Sequence, residues 1–231
     1  MSALFALRII APFSLGYFLS YAVRNVNAVI APDLSADLAL TPATLGLLTS
    51  AYFLAFAAFQ IPLGVLLDRY GSRRVEAILF LVAAAGCALF ALGQDVETLV
   101  AARALIGLGV SAALMGSFKA YVQWFPAERL PLISSLTMTM GGLGALVATA
   151  PVEAMLGFLD WRGVLWVAAA VATFAAATIF FVAPAHPDEK TAASVPMWSQ
   201  VRELSQIYTS ADFWRIAPLA VTSQAMFLAI Q

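Results

Sequence analysis

Long apolar runs, each interrupted by a few polar residues, set the rhythm of this chain. A helix needs about 20 predominantly apolar residues to cross a hydrocarbon core. Six segments qualify, near residues 9–31, 42–67, 75–93, 98–125, 130–152 and 163–182. A seventh begins near Phe213 and is still apolar at Gln231. Strands of a closed barrel would alternate over about 10 residues, and no such alternation occurs. The pattern predicts an all-α membrane protein: a six-helix bundle over residues 1–183, a cytoplasmic linker over 184–212 and the start of a seventh helix over 213–231.

The boundaries carry their own signals. Thr41-Pro42 is an N-cap followed by proline at the first helical position, and Asp33 and Asp37 fit a short polar turn before it. Gln94, Asp95 and Glu97 divide the third and fourth spans; Pro126 to Pro131, with Glu128 and Arg129, divide the fourth and fifth. The first apolar stretch is too long for a cleaved signal peptide, and no small-residue cleavage site closes it. Within the linker, residues 198–208 have the pattern of a short amphipathic helix lying on the membrane surface.

Composition sharpens the class. Apolar residues make up 62% and charged residues 11%, against about 25% charged in soluble domains. A net charge of −1 gives no reason to expect nucleic-acid binding. The single cysteine, Cys87, fits a small buried hydrophobe, and the single histidine, His186, falls in the polar linker. No convergence of His, Cys or paired carboxylates suggests an enzyme, and no cofactor is expected.

Basic residues give an orientation. With the N-terminus in the cytoplasm, Arg8, Arg69, Arg73, Arg74, Arg129, Lys190, Arg202 and Arg215 all lie inside, and Arg162 lies outside. Acidic residues divide almost evenly, so the bias belongs to the cations, as the positive-inside rule requires. Three further cations, Arg24, Arg103 and Lys119, fall within spans.

Residues 64–74 form a glycine-punctuated charged turn between two apolar runs. It resembles the signature loop of the major facilitator superfamily: Gly64, Leu66, Asp68, Arg69, Gly71, Arg73 and Arg74 match, while Ser72 stands at a commonly basic position. Arg103 followed by Gly107 and Gly109 resembles a second family motif, in the fourth helix, and the turn Asp160-Trp161-Arg162-Gly163 is also familiar there. The resemblance implies twelve helices in two halves, each made of two inverted three-helix repeats. This chain would then be the N-terminal six-helix bundle plus part of the seventh helix, with the other half as its partner. A trace of the repeat links residues 64–71 with residues 157–163, both carrying glycine, aspartate and arginine.

The resemblance also implies gating by Gly64, Asp68, Arg69, Gly71, Arg73 and Arg74, with Asp68 meeting a helix N-terminus of the other half. Simple topology-setting charge would account for the arginines but not for the acid or the glycines. An acid at a helix C-terminus opposes the helix dipole and needs compensation.

Arg24 is the sharper clue to a substrate. It lies eight residues before Pro32, about 12 Å at 1.5 Å per residue, and a mid-span arginine costs about 2.5–3.5 kcal/mol to insert. Tyr17, Ser20, Tyr21, Arg24, Asn27 and Ala28 recur at helical spacing and share one face, which fits a cavity-lining stripe; hydrogen bonding of Arg24 to helix carbonyls for packing is the alternative. The family motif tips Arg103 toward the cavity. Lys119 is close enough to the cytoplasmic end to reach the interface or to touch substrate. No Asp or Glu is expected deep within the six spans, with Glu153 at an outer edge, so a coupling proton group would lie in the other half or transport would be driven otherwise. Gly141, Gly142, Gly144, Ala145 and Ala148 make the fifth span smooth, with Pro151 placed to bend it. The Gly-Pro pair of some antiporters is missing from that helix, although Gly141 and Gly142 are adjacent, and its absence argues against drug/proton antiport.

Taken together, these residues predict a secondary active (symport) or facilitative transporter of a small organic anion in the plasma (inner) membrane, with Arg24, Tyr17, Tyr21, Asn27, Arg103 and Lys119 as substrate contacts. A carrier of zwitterions such as amino acids or dipeptides, or a non-transporting receptor or assembly partner, are the alternatives.

Overall fold

The computed structural model describes residues 3–186 and, beyond them, Ser210, Trp214, Arg215, Pro218, Leu219 and Thr222. The expected surface helix at 198–208, most of the linker and the seventh helix lie outside the described residues. The elements are α1 (Ala3–Leu38), α2 (Pro42–Tyr70), α3 (Ser72–Leu92), α4 (Val96–Val110), α5 (Ala113–Trp124), α6 (Leu130–Val147), α7 (Ala150–Leu156) and α8 (Trp161–Val182). They make six membrane-length spans, with α4 and α5 forming the fourth and α6 and α7, after a 3₁₀ turn, the fifth.

Helix starts follow the cap chemistry. The Thr41 hydroxyl accepts from the Thr44 amide at 3.2 Å, with Pro42 at the first helical position. Asp95 accepts from the amide and hydroxyl of Thr98, both at 2.8 Å, which holds its carboxyl below the usual carboxylate range. Asp160 accepts from the Gly163 amide at 2.7 Å and opens α8. Gly71, at φ 79°, is the one residue between α2 and α3; its left-handed backbone suits glycine because it lacks a Cβ.

Two boundaries differ from expectation. α1 does not stop before Pro32 but continues to Leu38, so Asp33 and Asp37 are helical rather than turn residues. The helix ends where Ala39 takes φ 50° and the Leu40 amide donates to the Ser35 carbonyl at 3.2 Å, a Schellman closure. The extra turns carry Asp37 to the start of α8, where Trp161 Nε1 donates to it at 3.2 Å and Arg162 forms an ion pair with it.

The fourth span, expected as one helix, breaks at Ser111–Ala112 without a proline. Side chains satisfy the carbonyls released there: Ser111 Oγ donates to the Leu108 carbonyl at 2.6 Å and Gln60 Nε2 to the Ser111 carbonyl at 3.4 Å. Unpaired backbone groups in a membrane interior are costly, so such substitutes accompany a break. The fifth span breaks at Thr149, as the nearby proline led us to expect.

Packing respects an exchange of the first three spans with the last three. α1 packs chiefly on α6, and its counterpart α4 packs on α2; α3 packs on α8, at the centre, and each of these also touches the first span of the opposite repeat. α2 and the fifth span are the least buried. Close approach depends on small residues: a Cβ on Gly107 would collide with the Tyr52 carbonyl of α2, and one on Gly109 with the Ala83 backbone of α3. Cys87, within α3, is fully buried. His186, expected in a solvated linker, instead stacks edge-on against Trp124 with ring centroids 4.8 Å apart.

Candidate functional site

Arg24 forms part of the wall of two cavities. The first, about 450 Å³, is bounded by α1, α2 and α4 and lined by Arg24, Asn25, Asn27, Thr49, Phe53 and Arg103 among others. The second, about 400 Å³, is lined by Tyr17, Tyr21, Arg24, Gln60 and Ser111 among others. Both volumes fall in the range of small-molecule sites. Of the six substrate-contact residues expected from sequence, five line one or both cavities.

Lys119 does not. Its Nζ lies 2.5 Å from Asp68 Oδ1, across 51 residues of sequence. Sixteen residues at about 100° each already set Lys119 well away from the Arg103 face of the helix, and the lysine pairs with Asp68 near the end of α2.

Aromatic rings from α1 and α2 hold the arginines. The Arg24 guanidinium carbon lies 4.8 Å from the Tyr21 ring centroid and 5.6 Å from both Phe53 and Phe56. Its Nε donates to the Tyr52 hydroxyl at 3.5 Å. Arg103 is 4% exposed and lies 4.9 Å over the ring of the same tyrosine. Cation–π contacts stabilise a desolvated guanidinium without neutralising it. No acid lines either cavity. Arg103 Nε and Asn27 Oδ1 are buried without a hydrogen-bond partner among the described residues, so polar capacity remains for a ligand. Tyr17 donates to Tyr21 at 3.3 Å, with the rings edge-on at 5.0 Å.

Tyr52, Phe53 and Phe56 went unnoticed in the sequence because they sit in an apolar span. Their signal is nonetheless present: Thr49, Tyr52, Phe56 and Gln60 recur at three- and four-residue spacing and share a helix face. An acid was also missed. Glu76, one turn into α3, is completely buried, contrary to the expectation of spans without a deep carboxylate.

The residues expected to gate have distinct surroundings. Asp68 holds Lys119. Arg69 lies 5.6 Å over the Tyr70 ring. Arg73 donates to the Phe180 carbonyl at 3.1 Å and lies 5.1 Å over its ring, capping the C-terminal end of α8. Arg74 is exposed, and a Cβ on Gly64 would meet nothing within 4 Å. Of the two glycines only Gly71 is required by the local backbone.

Among the described residues, six membrane-length helices form two interleaved triplets, with Arg24 and Arg103 on a cavity bounded by α1, α2 and α4. The Major Facilitator Superfamily model matches residues 13–231, and the chain belongs to that family. It is 28% identical over 163 residues to a probable sulfoacetate transporter of Cupriavidus necator, covering 71% of this chain and 38% of that protein. It is 28% identical over 153 residues to the hexuronate transporter of Escherichia coli, covering 66% and 35%. A galacturonate transporter of Dickeya chrysanthemi is 27% identical over 135 residues, covering 58% and 39%. The chain thus matches under two fifths of the length of each of these relatives.

Proposed function

We propose that this protein is a carrier for a small organic anion, working by alternating access as a secondary active (symport) or facilitative transporter. The observation that carries this reading is the pair Arg24 and Arg103 on one cavity with no carboxylate among its lining residues. Two guanidiniums without a counter-charge repel each other in a medium that screens poorly. A carboxylate or sulfonate between them would relieve that repulsion and accept paired N–H donors. Relatives named as transporters of sulfoacetate, hexuronate and galacturonate support an anionic cargo.

Tyr17, Tyr21 and Asn27 would complete the contacts, with Tyr52 as an addition from α2; Lys119 passes to the gate, as the partner of Asp68. We place the protein in the inner membrane with its N-terminus cytoplasmic, because Arg8, the Arg69–Arg74 cluster and Arg129 then share the inner side. The other half of the carrier would close the cavity.

Uptake by the full-length carrier in proteoliposomes, screened with carboxylates, sulfonates, amino acids and dipeptides, tests this reading. Uptake or exchange of an anion supports it. Exclusive movement of zwitterions, or none of any solute, overturns it.

A further inference from the structure

Glu76 is fully buried, and neither carboxyl oxygen has a hydrogen-bond partner among the described residues. It stands about 6 Å into α3 at 1.5 Å per residue, on the side of the Gly71 turn. Two glycines clasp it from facing helices. A Cβ on Gly16 of α1 would lie 2.7 Å from Oε1, and one on Gly116 of α5 would collide with Oε2. The carboxyl therefore occupies space that a side chain on either neighbour would need.

Among the described residues no cation approaches it, and the ion pairs are Lys119–Asp68 and Arg162–Asp37. From α5, the ionisable neighbours are Lys119, committed to Asp68, and Tyr121, which interacts with Glu76 electrostatically but shares its hydroxyl with Ser14 and Thr137 at 3.4 and 2.9 Å. From α2, Asp68 holds the lysine and Arg69 lies over Tyr70. On α3 itself, Arg73 is spent on Phe180 of α8 and Arg74 is exposed. α1 contributes Tyr17, bonded to Tyr21, and Arg8, two turns beyond Gly16. α4 contributes Arg103, which faces Tyr52. A bare carboxylate in such a place is costly, and no hydrogen bond or counter-charge among the described residues offsets it.

We propose that Glu76 is a proton-binding site, separate from the anion cavity, that holds its proton while α1 and α5 are closed on α3. Release breaks the carboxylic O–H bond and passes the proton to water on the Gly71 side. Release requires that α1 or α5 draw back, because the glycine contacts seal both oxygens. Proton occupancy is thus linked to the spacing of three helices, so a proton gradient biases the helix arrangement. This holds whatever the solute, and does not rest on the anion reading.

Two measurements on the full-length protein in lipid, without any solute, test it. Infrared spectroscopy of the wild type at neutral pH should show the carbonyl stretch of a protonated carboxylic acid, absent from Glu76→Gln. Hydrogen–deuterium exchange, corrected for intrinsic rates, should show protection around Gly16 and Gly116 falling several-fold from mildly acidic to mildly alkaline pH, in step with loss of that stretch. Glu76→Gln, permanently neutral, should keep its protection throughout; Glu76→Met serves if the glutamine variant does not fold. A wild type without the stretch at neutral pH overturns the site. A stretch that titrates while protection stays constant, or protection that falls equally in the neutral variants, overturns the link to helix spacing.

Discussion

Arg73 and Arg162 stand at the same place in exchanged helices, each the second residue of its own, and each reaches the far end of the other. Arg73 of α3 donates to the Phe180 carbonyl near the end of α8 at 3.1 Å; Arg162 of α8 donates to the Gly93 carbonyl just past α3 at 3.3 Å. A guanidinium at a helix C-terminus satisfies an orphan carbonyl and opposes the dipole's negative end. The two clamps tie opposite ends of the central α3–α8 pair. Replacing either by methionine should destabilise the bundle by about 1.5–3 kcal/mol, the range for hydrogen bonds to charged groups. Thermal unfolding in detergent checks this: near-additive losses are expected, since the clamps sit at opposite ends of the helices.

Tyr52 separates hydroxyl from ring. Tyr52→Phe leaves the ring beneath Arg103 and removes the acceptor for Arg24. A weakening of anion binding by about 2- to 10-fold is expected, the value of one ordinary hydrogen bond, with the fold intact. Tyr52→Ala would empty a fully buried site and cost about 3–5 kcal/mol of stability. Calorimetric titration on the phenylalanine variant reads the first effect; unfolding of the alanine variant reads the second.

The Lys119–Asp68 pair is partly exposed, with side chains 22% and 64% accessible. Such pairs contribute at most about 1 kcal/mol and weaken with salt. A double-mutant cycle with Asp68→Asn and Lys119→Gln should return a coupling of about 0.2–1 kcal/mol at low salt that fades as salt is added. Transport should respond far more than stability if the pair works as a latch on one conformation.

Gly144 and Gly142 are neighbours on α6 with opposite surroundings. A Cβ on Gly144 would strike the Phe18 carbonyl of α1, whereas one on Gly142 meets nothing within 4 Å. Gly144→Ala should cost about 1–3 kcal/mol through overpacking. Gly142→Ala should be neutral or slightly stabilising, because alanine favours helix by about 1 kcal/mol. Comparing the two melting temperatures isolates packing from propensity.

Much of the architecture was legible in the chain. Apolar runs of membrane length located the six described spans, and Thr41-Pro42 and Asp95 marked helix boundaries because capping is local chemistry. The α1 stripe of Tyr17, Tyr21, Arg24 and Asn27 was readable from spacing alone. What escaped depended on distant partners. Pro32 marked a false end, since nothing local reveals that Asp37 is needed by Trp161 and Arg162 across more than 120 residues of sequence. The break at Ser111 carries no proline and is held by Gln60 from another helix. Lys119 looked free in sequence because Asp68 is 51 residues away. Glu76, close behind Arg73 and Arg74, passes for part of a solvated charged turn; its burial comes from Gly16 and Gly116, residues that say nothing by themselves.

The anion site is tested most directly by thermal shift of the full-length carrier with a panel of small carboxylates and sulfonates, repeated on Arg24→Ala. An anion that stabilises the wild type should lose about 10- to 100-fold in apparent affinity without that guanidinium, leaving little or no shift at the same concentration. Equal stabilisation of both proteins by the anion would contradict the assignment of Arg24 to substrate.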